Sequence, residues 1–139
     1  MNSMSVEFID TNVLIYAHDV TAGRKHAQAV ALLERLVAED RAALSTQVLI
    51  EFYAAVTRKL GMDTHAAGEI IEDLGAWVIH RPDHQDILRS ITLQRRHRVS
   101  WWDALILNSA TQLGCSILWS EDLSANHRYG ALTVRNPFA

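Results

Sequence analysis

An internal disulfide is excluded, because the chain carries a single cysteine, Cys115, set in the apolar context G-C-S-I-L. That pattern fits a buried, inert thiol in a reducing compartment. Six glycines, two prolines and 21% charged residues in 139 positions leave no support for a linker-rich or collagen-like chain, or for intrinsic disorder. No window approaches the roughly 20 apolar residues of a membrane span. Met1 to Ser5 has neither the basic start nor the long apolar core of a signal peptide, so a cytoplasmic protein is expected. A basic excess is missing too. The net charge of −3 argues against a domain that coats nucleic acid non-specifically, while leaving room for local basic contacts. Glycine-rich nucleotide loops, internal repeats and low-complexity tracts are all absent.

What is present is apolar patterning: 49% of residues are hydrophobic, enough for one compact domain spanning residues 1–139 to bury its own core. The chain is organised around V-E-F-I-D-T-N-V-L-I-Y-A (Val6 to Ala17), where a strand-like run stops on Asp10 and apolar residues resume at helical spacing after Thr11-Asn12. Ala22 to Glu39 predicts an amphipathic helix. Ala42 to Leu44 predicts a short strand, followed by a helix from Gln47 to Leu60 capped by Ser45 or Thr46 and ended by Gly61. Further helices are expected from Asp63 or Thr64 to Leu74, from Asp83 to about Arg98, and from the S-W-W-D segment to Leu113. Ala76 to Ile79 is expected as a buried strand ended by Pro82, Ser116 to Trp119 as another, and Leu132 to Val134 as the last. Strands alternating with helices imply an α/β fold, a mainly parallel central sheet flanked by helices on both faces.

Four acids stand where acids are costly without a purpose. Asp10 and Asp122 each follow an apolar strand at a polar corner, which places both at the carboxyl edge of one sheet, where α/β proteins bind ligands. Glu51 interrupts the apolar helix V-L-I-E-F-Y-A-A-V, and Asp103 lies in a first helical turn between Trp102 and A-L-I-L. Each has a simpler explanation: Asp10 and Asp103 as caps, Glu51 as an arginine partner, Asp122 as a turn residue. Burying a lone charge costs several kcal/mol, so shared use around a divalent ion resolves the four together, and hard oxygen donors suit magnesium or manganese. Arg24, Lys25, Arg58, Lys59 and the cluster Arg95 to Arg98 are candidate phosphate contacts, or else solvated helix faces. Trp77 and Trp119 lie in strand-like runs and are expected in the core; Trp101 and Trp102 remain open between core and base stacking.

I-D-T-N-V-L-I-Y-A, S-T-Q-V-L-I-E-F-Y, S-W-W-D-A-L-I-L-N-S-A and I-L-W-S-E-D-L together resemble the motifs of PIN-domain ribonucleases, in order and over nearly the whole chain, with the VapC toxin branch the nearest likeness. The resemblance implies a three-layer PIN-like fold. Residue by residue, it implies Asp10, Glu51, Asp103 and Asp122 as the acidic metal site, with Asn12 and Ser120 orienting it. Glu121, next to Asp122, competes for the fourth position. The implied activity is a magnesium- or manganese-dependent endoribonuclease cutting structured RNA, leaving 5′-phosphate and 3′-hydroxyl ends. A homodimer inhibited by a small antitoxin is also implied, with an arginine of the antitoxin meeting the carboxylates.

Rival classes fit less well. An aspartyl phosphatase would need a second acid two residues after Asp10, where Asn12 stands. A receiver-like signalling domain would want an early acidic pair and a lysine at a late strand end. A catalytically silent PIN-like domain that binds magnesium and a partner is the remaining alternative, set against the presence of all four acids. His80 and His84 bracket Pro82 and so cannot share a regular helix face as zinc ligands.

Overall fold

A computed structural model describes residues 5–139. Strand β1 (Glu7–Ile9) leads through Asp10 into α1 (Thr11–Ala17), then come α2 (Arg24–Ala38), β2 (Ala42–Ser45), α3 (Thr46–Arg58) and α4 (Thr64–Leu74). The chain continues with β3 (Val78–His80), α5 (His84–His97), α6 (Trp101–Gln112), β4 (Ile117–Trp119), β5 (Arg128–Tyr129) and β6 (Leu132–Arg135). The six strands form one sheet in the order β3-β2-β1-β4-β6-β5, parallel throughout except for the antiparallel β5–β6 pair. The expected mainly parallel α/β sheet flanked by helices is what forms.

Short strands suffice because the inner ones are buried on both faces: Phe8, Ile9, Leu44, Leu118 and Val134 are fully covered by Val13, Leu14, Leu36, Val48, Phe52 and Leu107 from the helices. The caps expected from sequence form. Ser45 accepts from the Val48 N–H, Asp63 from His65 and Ala66, Asp83 from Asp86 in a reciprocal box, and Ser100 from Asp103. Each such cap stabilises its helix by about 1 kcal/mol. They also start α3 and α6 at set points along the chain, which decides where Glu51 and Asp103 fall.

Three expectations are corrected. The second helix begins at Arg24 rather than Ala22, because Asp19 caps a single 3-10 turn and Gly23, at φ +62°, turns the chain before the α-helix starts. The third strand is Val78–His80 and is not buried: it ends the sheet order, so it is paired on one side only, and Val78 is 42% exposed. Strand β5 is additional to the strands that patterning predicts. It has two residues, too few to show alternation, and it pairs through a turn at Gly130, where φ is +65°.

Two buried polar clusters lie outside the cavity that the site acids border. Glu7, at the opposite end of β1, accepts from Arg41 at 2.6 Å and from the Trp119 indole at 2.8 Å, tying β1 to β4 and to the approach to β2. Asp86 accepts from Asn108 (3.0 Å), the Asp83 backbone (2.9 Å) and Arg89 (3.1 Å), while His80 stands 3.4 Å away and bonds Ser109 at 2.7 Å. Serine, histidine and aspartate in that order have the members of an acyl-transfer triad. Ser109 is fully buried, so no substrate reaches it, and the cluster serves to lock β3 and α5 onto α6.

Burial alone would raise the Asp86 carboxyl, but the Asn108 and Asp83 hydrogen bonds and the His80 charge prevail and hold it at about 2. A carboxyl below its ordinary value stabilises the fold above about pH 4, and that contribution is lost as pH falls toward 2. Asp86→Asn should therefore cost about 1–3 kcal/mol between pH 5 and 8, with the gap narrowing below pH 4. Urea titrations at pH 7 and pH 3 measure this; a gap of equal size at both would mean that shape rather than charge matters there.

Candidate functional site

The in-register pairing of Ile9 with Trp119 ends β1 and β4 side by side, and the Asp10 N–H donates to the Trp119 carbonyl at 3.0 Å. Asp10 and Ser120 are thereby neighbours across 110 residues of sequence, and the Ser120 hydroxyl donates to Asp10 Oδ2 at 2.8 Å. Ser120 is fully buried and also accepts from the N–H groups of Asp122 and Leu123, so one hydroxyl shapes the loop after β4 and holds Asp10. The other oxygen, Oδ1, accepts from the Thr11 N–H at 2.7 Å. That partner is the first residue of the helix, whereas an ordinary capping side chain bonds the second or third N–H. Capping therefore does not explain Asp10 fully.

Around it the other acids border the same cavity, of about 280 Å³, together with Asn12, Gln47, Lys59 and Trp102. The Asn12 amide donates to Asp122 Oδ2 at 3.0 Å. Glu51 Oε1 accepts from the Thr11 hydroxyl at 2.6 Å and its Oε2 from the Gln47 amide at 3.2 Å, one helical turn before it on α3. Asp103 has its backbone N–H tied to Ser100, and among the described residues its carboxylate has no hydrogen-bond or ion-pair partner. Thr11 and Gln47 join the site without being marked by the sequence patterns. The signal available is spacing: Gln47 lies four residues before Glu51.

Charge crowding is visible in the acid strengths. Burial pushes Asp10 up to about 6, against the hydrogen bonds from Ser120 and Thr11 that favour its charged form, and the charges of Asp122 and Asp103 push the same way as burial. Asp122 is raised by burial and by Glu121 and Asp103. Glu121 itself is drawn elsewhere, accepting from Lys25 at 2.8 Å and from the Tyr16 hydroxyl at 2.8 Å, and it does not border the cavity. Its competition with Asp122 for the pocket is not supported. Of the basic candidates, Lys59 borders the acid cavity, Arg96, His97 and Arg98 border the next one, Lys25 is paired with Glu121, and Arg24, Arg58 and Arg95 border neither. Trp77 and Trp119 pack on the core as expected, and Trp102 is 60% exposed.

The donors suit a hard divalent cation: four carboxylates, supported by amides and hydroxyls, with no sulfur or imidazole among the cavity-lining residues. One further feature fits. Among the described residues the Gln47 side-chain carbonyl oxygen is buried without a hydrogen-bond partner, a group whose desolvation costs about 1–3 kcal/mol unless something satisfies it. Among the described residues no three acid, histidine or cysteine side chains are already drawn into a closed metal-binding group. Each carboxylate but Asp103 is turned to a hydroxyl, amide or N–H donor.

Known proteins bear on this arrangement. Residues 8–130 match the PIN domain family. No curated relative matches the sequence. Among solved structures, a toxin–antitoxin complex from Klebsiella pneumoniae is 25% identical over 96% of this chain and 98% of its own, with a TM-score of 0.69. The fold is shared with a VapC toxin from Mycobacterium tuberculosis that cleaves the sarcin-ricin loop (19% identity, 84% of this chain and 91% of that one, TM-score 0.66). It is shared also with a DNA-bound VapBC complex from Rickettsia felis (18%, 94% and 98%, TM-score 0.68). A family match that takes in β1 through β5, on a sheet whose carboxyl edge gathers the acids of all four motifs, makes this chain a member of the PIN domain family.

Proposed function

We propose that this chain is a divalent-metal-dependent endoribonuclease, the toxin of a toxin–antitoxin pair acting in the cytoplasm. The observation that carries the proposal is the joint placement of Asp10, Glu51, Asp103 and Asp122 around one cavity, in a chain of the PIN domain family. Those four residues would hold magnesium or manganese. Such an ion supplies a bound water of lowered pKa and polarises a phosphodiester. The protein's own contribution is positioning. Ser120 orients Asp10, Asn12 orients Asp122, and Thr11 with Gln47 orients Glu51, so the carboxylates face the cavity in set directions. Lys59, which also borders the cavity, would meet a substrate phosphate.

The partners follow from surface and likeness. The solved structures sharing the fold include VapBC complexes. Ile50 (70% exposed) and Tyr53 on α3 border, with Leu49, Gly68 and Ile71, an open apolar groove between α3 and α4. Leu60, just after α3, is also exposed. This is more apolar surface than one buried helix face needs, and it suits a self-complementary dimer. An antitoxin segment bearing arginine would be attracted to the acid cavity.

Purified protein incubated with structured RNA should cleave it when magnesium or manganese is present and stop in EDTA. Asp10→Asn should lower the rate by at least about 100-fold, the scale of losing an electrostatic catalytic group. Sequenced product ends carrying 5′-phosphates complete the test. An Asp10→Asn protein that cuts at the parental rate would assign the activity to other residues.

The same substitution has an opposite effect on folding. Because Asp10 is raised to about 6, its charged form is disfavoured in the fold, and that penalty is present above about pH 6 and vanishes as the group protonates below it. Without metal, Asp10→Asn should be more stable than the parent by on the order of 1–3 kcal/mol at pH 8 and no more stable at pH 4. Thermal melts in EDTA at both values decide; a variant less stable than the parent at pH 8 would mean that burial does not strain the carboxylate.

Light scattering at micromolar protein should give twice the monomer mass, and Ile50→Glu should return it to one. Adding the cognate antitoxin should suppress RNA cleavage. A monomer at every concentration tested, or an antitoxin that binds without slowing cleavage, would remove the corresponding half of this assignment.

A further inference from the structure

Beyond Asp103 and Asp122 lies a second cavity, of about 570 Å³, whose walls differ in chemistry from the first. The two acids are common to both cavities, which therefore adjoin. The second cavity is lined also by Arg96 and Arg98 at the end of α5, by His127 just before β5 and by Tyr129 on β5. Arg96 and Arg98 are exposed, and among the described residues neither guanidinium has a carboxylate partner. Arg98 is held where it is by its backbone, in the left-handed conformation at φ +54° that ends α5. The rings are grouped: Tyr129 lies 4.8 Å from His97, edge to face, and 4.4 Å from His127.

We propose that this cavity binds an unpaired ribonucleotide next to the scissile bond, its phosphate on Arg96 and Arg98 and its base against Tyr129 and His127. The inference rests on the ribonuclease assignment and adds the substrate feature that the site would select. Charge supports it. Four carboxylates repel a polyanion, and two guanidiniums lining the cavity that Asp103 and Asp122 also border offset that repulsion. Aromatic faces beside arginines are also the means by which proteins hold splayed bases. A base can reach Tyr129 only when it is unstacked, so loops and bulges are favoured over continuous duplex.

The test uses the full chain carrying Asp10→Asn, in EDTA, with a fluorescently labelled single-stranded oligoribonucleotide read by anisotropy. Arg96→Gln with Arg98→Asn, the latter chosen because asparagine tolerates the left-handed backbone, should weaken binding about 10-fold or more. The two changes should also flatten the slope of log affinity against log salt by about 0.7 for each phosphate that is no longer neutralised. Tyr129→Leu should weaken binding by roughly 5- to 100-fold while leaving that slope unchanged. Arg95→Gln, on a neighbouring residue that borders neither cavity, should weaken binding less than the paired change does. In the catalytically intact background the cavity variants should raise KM for RNA more than they lower kcat, with melting temperatures reporting that the fold is kept. Parental affinity, salt slope and KM in these variants, alongside active cleavage, would overturn the subsite. Loss of binding to a protein partner without loss of binding to RNA would overturn it too and make the cavity a protein-docking surface. Binding through Arg96, Arg98 and Tyr129 by a protein that never cleaves RNA would overturn the nuclease assignment and leave the subsite standing.

Discussion

The hydrogen bond from the Ser120 hydroxyl to Asp10 closes the junction on which the whole site depends. It forms because β1 and β4 are adjacent and in register, so two segments far apart in sequence both turn out of the sheet at the same level. Were the register to slip by one residue, every side chain on β4 would change face, and Ser120 would no longer meet Asp10. Register is secured at the other end by Glu7, whose carboxylate takes the Trp119 indole N–H and the Arg41 guanidinium. One buried acid at the amino edge therefore fixes the alignment that a second buried acid at the carboxyl edge relies on. The first is matched by cations, and among the described residues the second has only neutral hydrogen-bond donors.

The unmatched charge has consequences for the surrounding side chains. Thr11, Asn12, Gln47 and Ser120 each satisfy one carboxylate, and none of them carries a positive charge. Neutral donors orient an acid without neutralising it, so the cavity keeps its negative potential. An arginine in any of these places would lower the repulsion and also occupy the oxygens. Glu121 shows the contrast within the same loop: it has Lys25 and Tyr16 as partners and is thereby removed from the cavity. The Lys25–Glu121 pair also braces the segment carrying Asp122 against α1 and α2, with Lys25 lying over the Tyr16 and Phe138 rings.

How much of this is legible in the sequence follows from the range of the interactions involved. Helix starts at Ser45, Asp63, Asp83 and Ser100 are readable because a cap is a local event, complete within four residues. The strands β1, β2 and β4 are readable from their apolar runs Phe8-Ile9, Ala42 to Leu44 and Ile117 to Trp119. Strand β3 misleads for the same reason: A-W-V-I is apolar, but its place at the sheet edge is a property of topology that no short window carries. Glu7 does not stand out because its partners, Arg41 and Trp119, lie 34 and 112 residues away. Asp10, Glu51, Asp103 and Asp122 can be suspected one by one from their apolar settings. Their sharing of a cavity depends on a sheet order that only the fold supplies.

An acidic cavity in a protein of net charge −3 is at first sight the wrong place to bring a polyanion, and the arrangement of the basic residues answers that difficulty. They are not spread evenly: Arg95, Arg96, His97 and Arg98 fall together at the end of α5, where the helix dipole favours positive charge, and the chain then turns sharply at Arg98 before α6 begins at Trp101. That turn is what brings the cations beside Asp103, three residues into the next capped segment. Acids and bases largely border two adjoining cavities, and among the described residues no ion pair joins Arg96 or Arg98 to the acids. A strand lying across the boundary could meet positive potential on one side of a phosphodiester and carboxylates on the other. Without a counter-ion the acid side would repel it, so under the proposed function the metal acts on binding as well as on chemistry, and the arginine wall sets how much binding survives in its absence.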